Sequence, residues 1–153
     1  MKQLLIIIGI TLFLNCSNVN QNNFTSNKLI SSKGEKIYIN SLNWGVTNDY
    51  QMTAISSNAN KLHDRTDSSN TVKGIDPFIY SFDNDTLNLF FQYKISYKTE
   101  ENFKSIKIIY TVVDRKKFIE ISEKANMNKI YHKVPLTNKF DNNTDLPKAP
   151  TIN

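Results

Sequence analysis

Between Leu87 and Tyr97 the chain alternates with a period of two. Leu87, Leu89, Phe91, Tyr93, Ile95 and Tyr97 fall on one side; Asn88, Gln92, Lys94, Ser96 and Lys98 fall on the other, and Phe90 is the one residue out of step. Successive side chains of a strand point to opposite faces, so the pattern describes a strand with one buried and one solvated face. A buried face needs a cover, and this constrains the rest of the chain to supply more strands or a helix to pack against it.

The neighbouring segments read mostly as strands separated by turn residues. Glu35–Leu42 is expected as a first strand, opened by Lys33-Gly34, and Tyr50–Ser56 as a second. Thr71–Ile75 and Phe78–Phe82 are two short ones. Asp83-Asn84-Asp85 is the turn of a hairpin leading into the alternating strand. Glu100-Glu101-Asn102 is a further turn, after which Lys104–Val113 should pair antiparallel with the preceding strand, Ile106, Ile108, Tyr110 and Val112 sharing a face. Ile130–Val134 ends the series. Ser57–Asn70 has only Ala59 and Leu62 as apolar residues and reads as a long surface loop. Asp114 suits a helix N-cap, and Phe118, Ile121, Ser122 and Ala125 recur at helical spacing, which predicts a short helix over Arg115–Ala125. Phe118-Ile119-Glu120-Ile121 would also suit a strand. The expected fold is mainly β (α+β): an antiparallel β-sheet or small β-sandwich with one short C-terminal helix.

The N-terminus carries the clearest functional signal. Met1-Lys2-Gln3 is a short basic start, and Leu4 to Leu14 is apolar apart from Gly9 and Thr11. Eleven residues at ~1.5 Å each span roughly 17 Å, well short of the ~30 Å hydrocarbon core, which is the length of a signal-peptide core and not of an ordinary spanning helix. Cys16, the single cysteine of the chain, follows at once, and then a polar stretch from Ser17 to Asn23. A lone cysteine has no internal disulfide partner. Leu12-Phe13-Leu14-Asn15-Cys16 resembles a bacterial lipoprotein signal, with Phe13 and Asn15 standing where the commonest pattern has Leu and Gly or Ala. The resemblance implies that Cys16 is coupled to a diacylglycerol and becomes the new N-terminus. Two acyl chains suffice for a stable tether without a spanning helix, because each buried CH₂ contributes ~0.8 kcal/mol. The alternatives are an ordinary secretory signal with an incidental cysteine, or an uncleaved anchor. The expected organisation is a signal peptide over residues 1–15, a flexible tether over 16–28, a single β-rich domain over 29–136 and a polar, mobile tail over 137–153.

Chemistry is harder to find. His63-Asp64-Arg65 lies in the polar loop, where nothing apolar would desolvate a general base, and reads as surface. His132 stands far from it in sequence. Asp83-Asn84-Asp85-Thr86 resembles the start of a calcium loop, but Asn88 and Lys94 occupy the places that need Gly and Glu. No metal site and no cofactor is expected, with Cys16 committed to lipid, and no catalytic residue stands out. Trp44, beside Gly45, reads as a core plug, with stacking on a sugar or peptide as the alternative.

Charge is uneven. Ser17–Phe91 holds six Lys/Arg against seven Asp/Glu; Gln92–Asn153 holds twelve against seven. The positive half suits an anionic membrane or another polyanion, although the lysines are dispersed. Tyr93–Lys98 mixes aromatic and basic residues at strand spacing and matches no nucleic-acid-binding module, so no nucleic-acid partner is expected. With its lipoprotein signal, "WGVTNDYQ" and "DPFIYSFDNDTLNLF", the chain resembles small lipoproteins of Bacteroidota. That resemblance implies a cell-envelope location. Ser17 is not the Asp that retains lipoproteins at the inner membrane, and Ser17–Asn23 lacks the acidic run that sends them to the cell surface; together these imply the periplasmic face of the outer membrane. The expected function is a lipid-anchored, non-enzymatic binding or structural module, partnered by the membrane and by an envelope protein or polyanion. A periplasmic hydrolase and a toxin-immunity lipoprotein are the alternatives.

Overall fold

The computed structural model describes residues 23–45, 49–66, 68–75, 77–127 and 130–135; the apolar run, Cys16 and the 137–153 tail lie outside them. The described chain is mainly β. Its strands are β1 (Asn23–Ile30), β2 (Lys36–Trp44), β3 (Tyr50–Ser56), β4 (Val72–Lys73), β5 (Ile79–Asp83), β6 (Thr86–Phe91), β7 (Lys107–Val112) and β8 (His132–Lys133), with one helix, α1 (Arg115–Met127), before β8. Two four-stranded sheets result, ordered β1-β2-β3-β4 and β7-β6-β5-β8.

The sheets face each other across one core. Ile37, Ile39, Ile55 and Val72 from the first sheet meet Phe78, Tyr80, Leu87, Leu89 and Phe91 from the second. Alternation selects them: Leu87, Leu89 and Phe91 are buried while Asn88 and Phe90 between them are only partly so. Burying side chains of this size contributes about 1.5–3 kcal/mol each. Between β5 and β6 the ladder runs down to Asp83 opposite Thr86. Asn84 and Asp85 sit at φ +46° and +57°. Two left-handed central residues match the twist of a tight hairpin, and Asn and Asp tolerate that conformation best after Gly.

Three expectations need correction. First, Asn23–Lys28 is not tether. It forms most of β1, paired antiparallel with β2 from Asn23 opposite Asn43 to Ile30 opposite Lys36. An edge strand is held by its backbone ladder, so its polar composition hid it; Leu29 packs on the main core and Phe24 on the opposite face of the sheet.

Second, the alternating strand ends at Phe91, and β7 pairs with β6 in parallel, Thr86 opposite Lys107 through Phe91 opposite Val112. A parallel partner requires the chain to return to the start of the sheet. Residues 92–106 make that return along the side of the sandwich. Ile95, Tyr97, Phe103 and Ile106 still pack on the core from this crossover, which is why the apolar alternation outlasts the strand.

Third, the Ser57–Asn70 loop is more than surface. Leu62, fully buried at φ +74°, joins Leu42, Met52 and Ala54 in a second cluster on the outer face of the first sheet. Asn40 Nδ2 donates to Asn58 O at 2.8 Å and fixes the loop over that face.

The helix forms as expected and runs two residues further. Asp114 Oδ1 accepts from Lys117 N at 2.8 Å, an N-cap. Glu120 bridges Lys117 and Lys124 on the exposed side. Ile121 is buried where α1 packs against β5 and β8.

Candidate functional site

The residues singled out from the sequence are scattered. The His63 ring meets Phe24 edge-on at 5.2 Å, and Asp64 accepts from Thr66 N within its own turn. His132 lies in β8 beside Tyr80, ring centroids 5.1 Å apart. Asp83-Asn84-Asp85 works as a turn, and Asp85 is engaged by Ser32 through both its backbone N and its hydroxyl. Cys16 lies outside the described residues.

Three of the perturbed carboxylates fasten loops, while Glu120 bridges Lys117 and Lys124 along α1. Glu35 follows the β1–β2 turn and accepts from Lys104 N (2.8 Å), Ser105 N (2.6 Å), Ser105 Oγ (2.7 Å) and Ile106 N (3.1 Å). Backbone N–H groups of Lys104 and Ser105, then the Ser105 hydroxyl, hold its pKa down at about 2. Hydrogen bonds from Ser32 likewise lower that of Asp85. Glu101 accepts from Ser56 Oγ and Ser57 N, which outweigh its partial burial and lower its pKa. Tyr80 and Tyr97 are pushed up by burial; Tyr80 accepts from Asn27 Nδ2, and Tyr97 accepts from Ile55 N. Glu120 apart, each of these groups ties one sheet to the other or to a loop.

A more informative arrangement lies at one end of the sandwich. β1 begins there at Asn23, beside the end of β2 and the start of β3, where Trp44 is opposite Tyr50. The pairings carry three further chain segments to the same end. Gly74 N donates to Gln51 O, which puts Ile75 next to the start of β3. Asn27 contacts Tyr80 near the start of β5, and Phe90 is opposite Ile79, so Tyr93 emerges here as well. Val112 is opposite Phe91 in the parallel pair. Tyr50, Ile75, Tyr93 and Val112 are 58%, 60%, 72% and 56% exposed. Four of the eight exposed large apolar residues among the described ones thus share one end, the others being Ile30, Ile119, Met127 and Ile130; a shared rim is less ordinary than single scattered exposures.

Trp44 backs this rim. It is half-buried, stacked on Tyr50 at 5.7 Å with the rings 17° apart, and the Arg65 guanidinium carbon lies 5.3 Å from its centroid. Gly45 follows at φ +101°, a conformation that strains any other residue, and a Cβ there would displace the Asp49 carboxylate. Trp44 packs on the second cluster, in line with the core role expected of it, while the exposed partner Tyr50 went unnoticed in the sequence. A groove of about 230 Å³ runs into the rim between Ile75, Pro77, Tyr93, Ile95 and Phe118. Among the described residues, Lys73, Lys94, Arg115 and Lys116 are exposed close to these residues in sequence, as are the acidic Asp49 and the capping Asp114; Asp76 stands between Ile75 and Pro77 in the sequence. Tyr93 was expected on a buried face; it is exposed because the strand ends two residues before it.

A smaller opening of about 50 Å³ sits between the sheets, lined by Thr25, Asn27, Ile39, Ser41, Tyr80 and Val134. Asn40 Oδ1, Asn43 Oδ1 and Gln51 Oε1 are buried without a partner among the described residues, and none of the three residues lines this opening. The opening holds a few waters at most. Comparison with protein-family models, with curated proteins and with solved structures found no match.

Proposed function

We propose that this chain is a lipid-anchored protein of the bacterial cell envelope, acylated at Cys16, whose β-rich domain is a non-enzymatic binding or structural module held close to the membrane, at the periplasmic face of the outer membrane. One relationship carries the reading. Cys16 follows an apolar run too short to span a bilayer, and only six residues separate it from Asn23, where β1 begins. Seven Cα steps extend at most about 25 Å. A diacylated cysteine therefore keeps the folded domain within roughly its own length of the headgroups, a much shorter leash than a tether ending at residue 28 would be. Such a tether suits a domain that works on the membrane or on a neighbour bound to it.

The test is the partition of the full chain and its Cys16→Ser variant after expression in a bacterium that processes lipoproteins. The parent is expected in the membrane fraction and in the detergent phase. The variant is expected to lose both. Equal partition of the two forms would overturn the reading.

A further inference from the structure

We infer that the apolar rim formed by Tyr50, Ile75, Tyr93 and Val112 is a bilayer-contacting surface, which seats the domain end-on in the interfacial region of the membrane that holds Cys16. The inference rests on the lipid-anchor reading and adds an orientation to it.

Three observations point to a lipid surface as the occupant. The first is position. The four side chains share the end of the sandwich at which β1 begins, and that is the end the six residues after Cys16 must approach. The opposite end, with the β1–β2 turn and Glu35, is a strand length away, about 27 Å for eight residues. The second is side-chain type. Two of the four are tyrosines, and Trp44 lies directly behind Tyr50 at 5.7 Å. Tyr and Trp favour the headgroup level because one edge of the ring is apolar and the other hydrogen-bonds water or lipid. Ile75 and Val112 between them are short enough to enter only the uppermost acyl region. The third is charge. Among the described residues, the exposed Lys73, Lys94, Arg115 and Lys116 neighbour the rim residues in sequence, against Asp49 and Asp114, of which Asp114 already accepts from the helix N-terminus; Asp76, between Ile75 and Pro77 in the sequence, is a third acidic residue. A modest positive excess around an apolar centre complements anionic headgroups. A soluble protein partner would find the rim only if the tether left it free of the membrane, and a tether this short works against that.

Trp44 is the single tryptophan of the chain, so it reports on this end alone. The experiment uses the full acylated chain reconstituted in vesicles of phosphatidylethanolamine and phosphatidylglycerol, with and without acyl chains brominated near the glycerol. Mass spectrometry of the same sample reads acylation at Cys16. Loss of Trp44 emission is expected in the brominated vesicles. The Ile75→Asp/Tyr93→Asp variant, which alters only exposed side chains, is expected to keep both its acylation and its circular dichroism and to regain emission. An acylated chain with no quenching would overturn the docking and leave the anchor standing; an unacylated Cys16 would overturn both. Quenching that persists in the double variant would assign the contact to another surface. An acylated chain that is dimeric in detergent, monomeric as the double variant and unquenched in either form would make the rim a contact with a second copy, and would equally overturn the proposal.

Discussion

Ser105 donates twice to one oxygen of Glu35: its backbone N lies 2.6 Å and its Oγ 2.7 Å from Oε2. Lys104 N and Ile106 N complete the set. One carboxylate on the β1–β2 turn thus holds the segment that leads into β7 and joins the two sheets at the end remote from the apolar rim. Asp85 adds a second link through Ser32 at the same end.

Acid should loosen this end first. The folded pKa of Glu35 is lowered to about 2 from an ordinary 4.5. A carboxylate shifted downward contributes stability that is fully present above its unfolded pKa and is lost as pH falls through the folded one. Stability is therefore expected to decline between about pH 4.5 and pH 2. In Glu35→Gln the midpoint of a denaturant melt should fall at pH 7, and the acid-side decline should be shallower than in the parent. Parallel pH profiles for the two proteins would contradict the assignment.

Leu89 is fully buried on the core face of β6, and Asn88 points to the other face, 3.5 Å from Ser81. Leu89→Ala should cost ~2–5 kcal/mol, and Asn88→Ala about 0.5 kcal/mol. Urea melts measure both, and equal losses would place the wrong face in the core.

Leu62 tests the polar loop. If it closes the outer face of the first sheet over Leu42, Met52 and Ala54, Leu62→Ala should cost ~2–5 kcal/mol, as a core leucine does. A loss of ~0.5 kcal/mol or less, the ordinary value for a surface change, would return the loop to mere solvent cover.

Much of the fold was legible because burial acts on period. β3 matches its expected bounds, the Asn84-Asp85 turn follows from residue type, and the Asp114 cap starts α1 where expected. Three features were not legible, for separate reasons. β1 is joined by backbone hydrogen bonds that side-chain polarity does not report. The parallel pairing of β7 depends on where the 92–106 crossover lands, a tertiary fact; hairpin logic favours the antiparallel choice by default. Leu62 looked like an isolated leucine because its partners lie on β2 and β3. The rim escaped for a related reason: Tyr50, Ile75, Tyr93 and Val112 are distant in sequence and converge only through the pairings of both sheets. Cys16 lies outside the described residues, so its role rests on the sequence alone.

Lipidation at Cys16 is tested most directly by the intact mass of the N-terminal peptide of the protein isolated from bacterial membranes. A mature chain that begins at Cys16, with a diacylglyceryl group on its sulfur and Met1–Asn15 removed, is expected. A chain retaining Met1–Asn15, or one that begins elsewhere and leaves the Cys16 thiol unmodified, would contradict it.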